Sequence, residues 1–366
     1  MPHPLFDRSA LEFRPVKERR SEIRIRDIAV DPDETPDDPG RAGAAIDRIA
    51  ERVIAARQSG APVVICHGAH LIKNGLGPLL IRLVQEGWLQ HVATNGAGSI
   101  HDWEFGHFGE SCEDVRAYVA EGQFGIWEET GATIGLSLLV GALDGLGYGE
   151  SVGRTIVEER LVVPSRRELR KRLQEMPSES SQGAAAADLL ETMDRLGVAE
   201  GERIIPHESS EWSVQAACYR AGVPFTVHPG VGQDIIYTHP LFHGGAVGRT
   251  ALRDFLIYAE TIRRLPGGVY LSVGSSVMSP MIFEKSVSMA RNLARQDETS
   301  FDGFFIAVND LAEVDWDWSR SEPPADHPAY YVRFLKSFSR MGGEMEYVGL
   351  DNRVFMTNLY QRLRAR

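Results

Sequence analysis

Short apolar runs alternate with helical stripes along most of this chain. Val63 to Cys66 is an apolar run typical of a strand buried on both faces, and Val92 and Ala93 enter a second such run. Between them, apolar side chains recur at the spacing of one helix face: Leu76, Leu79, Leu80, Leu83 and Val84. The pattern predicts a right-handed strand–helix–strand unit. Its two polar turns, Cys66 to Lys73 and Asn95 to Asp102, are expected at the edge of the sheet where ligands bind.

The same alternation returns in the second half of the chain. Four further strands are predicted there: Val223 to Val227, Val269 to Val273, Phe304 to Val308 and Tyr347 to Leu350. Helices are predicted beside them and earlier in the chain: Ala42 to Arg57, Ser165 to Gln174, Ala184 to Leu196, Ser213 to Ala221, Ala251 to Arg264 and Pro280 to Leu293. We therefore predict an α/β fold, with a doubly wound, mostly parallel sheet and helices on both faces.

Composition suggests a simple domain organisation. Residues 1–40 are charged and proline-rich, and we expect an N-terminal arm that is extended or mobile and packs on a neighbouring subunit. Residues 41–366 contain no convincing linker and are predicted to form a single α/β domain. A loop is expected at Pro177 to Gly183.

Charge and cysteine content narrow the classes of partner. The net charge of −12 argues against nucleic acid or an anionic membrane, and no apolar run reaches the roughly 20 residues of a membrane span. The N-terminus lacks a signal-peptide core, and the three cysteines have no metal-binding spacing. We expect a cytoplasmic protein with reduced thiols, a small-molecule substrate and no nucleic-acid or membrane partner.

Small residues at several strand ends are typical of nucleotide-binding turns. These turns are Gly68-Ala69-His70, Gly96-Ala97-Gly98 and Gly274-Ser275-Ser276. None matches the full G-x-G-x-x-G pattern, but several turns at one sheet edge favour a bound nucleotide. Asp102, Asp234 and Asp351 lie near these turns, either as helix caps or as ligand contacts.

Titratable side chains at the same strand ends suggest catalysis. His67, His70 and His101 suit proton transfer, or a metal site together with Asp102. Lys73 is placed near a helix start, where a cation is better explained by an anionic or carbonyl-bearing ligand, or else simply faces solvent. The tryptophan-rich segment Val314 to Pro328 is either a lid or an interface segment.

The stretches Ala69-His70-Leu71-Ile72-Lys73-Asn74-Gly75 and Asn95-Gly96-Ala97-Gly98-Ser99-Ile100-His101-Asp102, with a helix between them, resemble a pattern of the deoxyhypusine synthases. Those enzymes use NAD to move an aminobutyl group from spermidine onto a protein lysine. The family pattern S-N-L-I-S-S-G, a helix, then T-T-A-G-G-V-E-E-D is similar to residues 69–75 and 95–102 here. The family's G-S-L-G-D-M-I-x-x-H resembles Gly230 to His239, and its I-N-T-A resembles residues 308–311. Its aspartate before the last helix resembles Asp351.

This resemblance implies a Rossmann-type fold, a bound NAD and a homotetramer with sites at the dimer interface. The residues that it implies for NAD binding are Ala69, His70, Gly96, Ala97, Gly98, Asp234, Gly274, Ser275, Asn309 and Asp351. For catalysis it implies His239 as general base and Asp102 to orient the substrate. His101 stands where the family has one of its paired acids, and Lys73 is a substitute for the family's lysine or a contact for an anionic group.

One departure from the family limits the predicted chemistry. The family's catalytic lysine follows G-G-G-V-V, and the matching position here is Met278, whose thioether cannot form an imine. We therefore expect an NAD-dependent transferase or oxidoreductase on a small amine, without the lysine-linked aminobutyl transfer. The alternatives are a histidine-based hydrolase or lyase without nicotinamide, and a non-catalytic ligand-binding homologue.

Overall fold

The structure is a computed structural model that describes residues 3–175, 180–312 and 314–366. The first two residues of the predicted arm, and residues 177–179 of the predicted loop, lie outside this description.

Ten strands are present in the described ranges: β1 (Ile23–Arg24), β2 (Val63–His67), β3 (His91–Thr94), β4 (Glu110–Ser111), β5 (Arg160–Val163), β6 (Gly201–Ile204), β7 (Phe225–Val227), β8 (Val269–Val273), β9 (Phe305–Asp310) and β10 (Glu344–Gly349). Six of them form one parallel sheet in the order β10-β9-β8-β2-β3-β7. The predicted doubly wound, parallel α/β fold is confirmed.

Fifteen α-helices occur in the same ranges: α1 (Ile25–Ile28), α2 (Gly43–Ser59), α3 (Ala69–Lys73), α4 (Gly77–Gln85), α5 (Gly96–Phe108), α6 (Val115–Glu121), α7 (Glu128–Asp144), α8 (Tyr148–Glu158), α9 (Arg166–Glu175), α10 (Ser181–Leu196), α11 (Val214–Ala221), α12 (Gly244–Arg263), α13 (Met278–Gln296), α14 (Arg333–Ser339) and α15 (Asn352–Arg364). No single helix in the described part of the chain is long and apolar enough to cross a membrane. One pair, α7 with α8, passes that test together, but it is bent by 110°.

The order of the six strands is that of a Rossmann-type sheet. Counted along the chain, the strands of this sheet lie in the order 6-5-4-1-2-3, so the chain reverses its winding between β2 and β8. The core accordingly has two parts, one on each face of the sheet. Val63 and Ile65 of β2 pack into one part, whereas Val64 and Cys66 pack into the other.

A long excursion separates β3 from β7. It carries α5 to α11 and the antiparallel pair β5–β6, and it covers the β3 side of the sheet. The predicted polar turn from Asn95 to Asp102 is wrong, because the chain enters α5 directly after Asn95. The sequence suggested a turn because Gly96 and Gly98 are poor helix formers, but the Asn95 side chain accepts the Gly98 N–H and caps the helix.

The helix predicted from the stripe Leu76 to Val84 is α4, and a second helix, α3, occupies the predicted polar turn after β2. Gly75 lies between them with φ +79°, and a Cβ there would lie 2.1 Å from the Ile28 carbonyl oxygen. The Gly75 carbonyl accepts the Val30 N–H. The N-terminal segment therefore docks where the helix is broken, which only glycine permits.

The N-terminal segment lies against its own chain. The Arg19 guanidinium donates two hydrogen bonds to the Glu104 carboxylate of α5, at 2.7 and 3.0 Å, and both side chains are 1% exposed. Next to this pair, β1 pairs antiparallel with β4, and Arg14 is bridged to Trp127. The buried ion pair thus joins residues 8–30 to the excursion after β3.

Replacing Arg19 should destabilise the fold severely. Arg19→Gln leaves the Glu104 carboxylate buried without its charge partner, which costs about 3 to 5 kcal/mol of unfolding free energy. Arg24→Gln is the matched control, because the Arg24–Glu110 pair is largely exposed and contributes about 0 to 1 kcal/mol. Urea unfolding monitored by circular dichroism measures both losses. Equal, small losses in the two variants would contradict the structural role given to Arg19.

Candidate functional site

The sheet reverses its winding between β2 and β8, and we refer to the space at the carboxyl ends of these two strands as the crevice. Leu71 of α3 packs on one face of the sheet, whereas Phe283 of α13 packs on the other, so the two connections leave in opposite directions. Doubly wound sheets bind their ligands at such a point, outside the carboxyl ends of the strands.

Two glycines allow the ends of β2 and β8 to approach each other closely at the base of this crevice. The Gly68 N–H donates to the Val273 carbonyl at 3.1 Å, and a Cβ on Gly68 would lie only 2.1 Å from the Gly274 carbonyl oxygen. Gly274 has φ +57°, a conformation that favours glycine. The backbone therefore requires glycine at Gly68 and at Gly274, in two of the predicted turns.

Six of the residues predicted to bind NAD surround the crevice: Ala69, His70, Gly274, Ser275, Asn309 and Asp351. His70 is exposed beside it. Ser275 accepts the Ser279 N–H at the start of α13, and Asp351 accepts the Arg353 N–H at the start of α15. These two side chains therefore also cap helices.

Buried polar atoms without a partner accompany the crevice. The Asn309 amide donates to Asn352 at 2.9 Å, but Asn309 Oδ1 has no partner among the described atoms. His67 Nε2 is also unpartnered, below the end of β2, and burial lowers the pKa of His67 to about 4. Such groups are costly to bury unless something binds them, which is consistent with a polar ligand at this edge.

A second group of predicted residues lines a cavity of about 260 Å³ next to the crevice. Lys73, Ala97, His101 and Asp234 contribute to its walls. The structure shows four further residues in these walls that the sequence did not indicate: Arg19, Glu104, Cys112 and Glu113. No signal in the sequence connects Arg19 or Cys112 with this site, because the N-terminal segment and the β4 region reach it only through the tertiary fold.

Asp234 is the principal unsatisfied acid of the cavity. Burial raises its pKa to about 6, although the backbone N–H groups of Gly230 and Ala97 oppose the shift. Its Oδ2 has no partner in the described structure. A Cβ on Gly96 would lie 2.1 Å from this oxygen, so the glycine makes room for the carboxyl at the start of α5.

Gly98 has a different packing partner from Gly96. A Cβ on Gly98 would lie 2.2 Å from Thr94 Oγ1, so this glycine lets α5 approach β3. The sequence grouped Gly96 and Gly98 as one nucleotide turn, but the structure gives them two separate packing partners.

His101 and Cys112 are neighbours in the cavity wall. His101 Nδ1 lies 2.7 Å from Ser111 Oγ and 3.8 Å from Cys112 Sγ. Burial lowers the pKa of His101 to about 4, so the imidazole is neutral at pH 7. Burial also raises the pKa of the Cys112 thiol, and Cys112 has φ +70°, an uncommon conformation for a residue other than glycine. These groups offer hydrogen bonds rather than charge.

Lys73 supplies the unpaired positive charge. Within the described residues its ammonium group has no ion pair or hydrogen bond. The other cation of the cavity, Arg19, is bound to Glu104, which also accepts from Ser111 and Thr130. Among the described residues that line the cavity, Lys73 is therefore the cation without a partner, and Asp234 is the acid with an unpartnered carboxyl oxygen.

Asp102 does not belong to the cavity. Its fully buried carboxylate accepts hydrogen bonds from Ser213 Oγ, from the backbone N–H of Val214 and Gln215, and from the Gln215 side chain, at 2.7 to 3.1 Å. All of its acceptor capacity is used to cap α11. We therefore remove it from the candidate site as a substrate-orienting group.

His239 is also separate from the cavity. Its Nδ1 accepts the Leu241 N–H at 3.2 Å, and its Nε2 lies 3.3 Å from Glu128 Oε2. The Phe13 ring covers the imidazole at 4.5 Å. The nitrogen that a general base would use is thus already bonded within the protein, and Asp234, five residues earlier, is the titratable group that reaches the cavity.

The described residues contain no group of three or more histidine, cysteine, aspartate or glutamate side chains placed to hold a metal ion. His67, His70, His101 and Asp102, the set considered from sequence, are not brought together as ligands.

Comparisons with known proteins give distant similarities only. No family model matches the chain, and no curated protein matches it. Among solved structures, AgrE in a ternary complex with ornithine and NAD⁺ is 14% identical, with a TM-score of 0.45, over 91% of this chain and 34% of AgrE. A LOR/SDH protein from Methanococcus maripaludis S2 is 12% identical, with a TM-score of 0.44, over 91% of this chain and 71% of that one.

ArgZ, an arginine dihydrolase from the ornithine–ammonia cycle in cyanobacteria, is 15% identical, with a TM-score of 0.39, over 89% of this chain and 33% of ArgZ. The chain thus spans about a third of the length of AgrE or ArgZ.

The predicted membership of the deoxyhypusine synthase family is wrong. The chain matches no family model, and the solved structures named above are AgrE, ArgZ and a LOR/SDH protein. The short motifs that suggested the family are glycine turns and helix caps, which many parallel sheets need for backbone reasons. Met278 accordingly is not evidence of a lost lysine. It begins α13, with its sulfur 3.7 Å from Cys66 Sγ.

Asp234 should make stability depend on pH. Because its folded pKa is about 6 and its unfolded value is about 3.9, the folded state binds the proton more tightly between these values. Unfolding free energy therefore decreases as pH rises from about 4 to 6, by about 2 kcal/mol from this group. Asp234→Asn should lose this slope, and the exposed Asp302→Asn should keep it. Urea unfolding at half-unit pH steps tests this, and identical slopes in both variants would contradict it.

Proposed function

We propose that this protein is an NAD-dependent enzyme, an oxidoreductase or transferase that acts on a small amine. The observation that carries the proposal is the reversal of strand order between β2 and β8, with Gly68 and Gly274 at its base and the charged cavity beside it. A dinucleotide in the crevice would place its reactive ring next to the cavity, where the substrate binds.

The residues of the crevice fit a dinucleotide on several points. Its rim consists of small side chains, its backbone tolerates no side chain at Gly68, and Asn309 Oδ1 is unpartnered. Ala69, His70, Gly274 and Ser275 would hold the diphosphate, and Asn309 and Asp351 would contact a ribose. Gly96, Ala97 and Gly98 serve α5 and Asp234 and would contribute only to the wall near the reactive ring.

The cavity supports oxidation of an amine. If NAD⁺ is bound, its nicotinamide would supply the hydride acceptor for this oxidation. Asp234 binds the amino group and takes its proton, for which a pKa of about 6 is suitable near neutral pH. Lys73 binds a carboxylate or another anionic group of the same substrate. Neutral His101 donates or accepts a hydrogen bond without adding charge.

NAD⁺ should stabilise the protein, and a negative charge at the crevice should weaken this effect. At ten times the dissociation constant, the ligand adds about 1.4 kcal/mol, or roughly 1 to 3 °C for a chain of this size. His70→Glu places a carboxylate beside the predicted diphosphate and should reduce the shift at fixed NAD⁺. Gln58→Glu adds the same charge at an exposed site before β2, at the amino end of the sheet, and should not. No shift in the wild type with millimolar NAD⁺, measured by differential scanning fluorimetry, would refute the proposal.

The two free groups of the cavity should affect turnover differently. A substrate is first identified by mixing the protein and NAD⁺ with small amines and amino acids. The absorbance of reduced nicotinamide measures the reaction. Asp234→Asn should then lower kcat about 100-fold or more, because a proton acceptor is lost. Lys73→Met should mainly raise KM, by about tenfold, because a contact to an anionic group is lost.

The controls for these variants are Asp302→Asn and Lys285→Met, which change exposed side chains outside the cavity and should leave both constants unchanged. Turnover that survives undiminished in Asp234→Asn would exclude Asp234 as the proton acceptor.

A further inference from the structure

A second cavity, of about 440 Å³, lies beside the carboxyl ends of β9 and β10. The tryptophan-rich segment after β9 folds against β10 and forms one wall, and the edge strand β10 forms the other. The side chains that define it are Trp316, Trp318, Tyr347, Asp317 and Glu346, with Gly349 at its rim. The proposed substrate site does not use this cavity.

The aromatic walls leave one hydrogen-bond donor free. Trp316 Nε1 donates to the Ser321 carbonyl at 2.7 Å, and the Tyr347 hydroxyl donates to the Ala312 carbonyl. Trp318 is 3% exposed, and its Nε1 has no partner among the described atoms. An indole N–H can only donate, so a ligand bound here would satisfy it with an acceptor atom.

The described residues that line the cavity offer no cation to a phosphate group. Asp317 and Glu346 are the charged side chains of the cavity, and no lysine, arginine or histidine is among the described residues that line it. Both carboxylates are held from outside, Glu346 by Arg48 and Asp317 by Arg320. The walls therefore favour a planar, uncharged or cationic ring with an acceptor for Trp318 and an amino group for a carboxylate.

The position of this cavity suits one end of a dinucleotide. Strands β10 and β2 are three steps apart, or about 14 Å at a spacing of about 4.8 Å, which is comparable to the reach of an extended dinucleotide. On the opposite side of the crevice, the usual acidic contact for an adenosine ribose is replaced by Asn95, whose side chain is used to cap α5.

We propose that the cavity between the tryptophan-rich segment and β10 binds the adenine ring of the dinucleotide, with Trp318 Nε1 donating to a ring nitrogen. This inference rests on the proposed function, because it assigns the second ring of the same ligand. The diphosphate then crosses Gly274 and Gly68, and the nicotinamide end faces Lys73 and Asp234.

A variant that fills the cavity tests the proposal. A Cβ on Gly349 meets nothing closer than 3.8 Å, so Gly349→Leu fits the backbone and extends its side chain into the cavity. Gly248→Leu is the matched control on an exposed face of α12, where a Cβ meets nothing within 4 Å. Calorimetric titration with NAD⁺, ADP-ribose, adenosine monophosphate and nicotinamide mononucleotide should show at least tenfold weaker binding of the three adenine ligands to Gly349→Leu alone. Binding of nicotinamide mononucleotide should not change.

A second pair of variants isolates the hydrogen bond. Trp318→Phe keeps an aromatic ring but removes the N–H, and should weaken the adenine ligands about five- to tenfold. Trp212→Phe removes another buried indole N–H that also lacks a partner in the described structure, but it lies outside the cavity and should have no effect. Melting temperatures of all variants show that each remains folded.

The outcomes separate this proposal from the proposed function. If NAD⁺ binds and Gly349→Leu leaves ADP-ribose binding unchanged, the adenine assignment is overturned while the function stands. If adenosine monophosphate binds and is lost in Gly349→Leu but NAD⁺ gives no signal, the cavity binds adenine and the NAD-dependent function fails. If none of the four ligands binds to the wild type, both are overturned.

Discussion

The close passage of β2 and β8 is the constraint on which the site depends. The Gly68 N–H extends the hydrogen-bond ladder to Val273, and its missing side chain admits the Gly274 carbonyl. At this point the chain leaves the sheet toward opposite faces, through α3 and α13. Any side chain at Gly68 would push the two strand ends apart and change the crevice that their separation creates.

A buried ion pair extends this arrangement to the cavity. Glu104 accepts two hydrogen bonds from Arg19 and one each from Ser111 and Thr130, so one carboxylate joins the N-terminal segment, β4, α5 and α7. Burial opposes the ionised form, but Arg19 and the hydrogen bond from Ser111 lower the pKa of Glu104. The pair therefore remains charged internally, and its net effect on the cavity is small. Among the described lining residues, this leaves Lys73 as the cation without a partner and Asp234 as the acid with an unpartnered oxygen.

The three regions at the carboxyl edge differ in character in a way that suits a composite ligand. The crevice offers small residues and backbone, the cavity near α5 offers a cation and a carboxyl, and the cavity near β10 offers aromatic faces with carboxylates. A diphosphate, a polar substrate and a planar ring have matching needs. Parallel strands place these regions side by side because all their carboxyl ends meet at one edge.

Much of the fold is determined by local pattern. The apolar runs of β2, β8 and β9 and the helical stripe of α4 follow from side-chain periodicity, so strands, helices and the doubly wound parallel sheet could be predicted. The same local reasoning selected Lys73, His101 and Asp234, and these three residues line one cavity; their part in binding a ligand stays a prediction. It misplaced Asp102 and His239, since an aspartate that caps a distant helix looks the same in sequence as one that binds a ligand.

Only the tertiary structure decided which of these groups line a cavity and which are used within the fold. The Asp102 carboxylate caps α11, which begins more than 100 residues later in the chain. The His239 ring is hydrogen-bonded to Glu128 and Leu241. Arg19 and Cys112 enter the cavity wall through β1–β4 pairing and the buried Arg19–Glu104 bond, which depend on contacts between distant segments. Short motifs such as glycine turns and helix caps reflect local requirements of the backbone. Burial, orphaned hydrogen-bonding atoms and unpaired charge arise from packing, and they therefore require the folded chain.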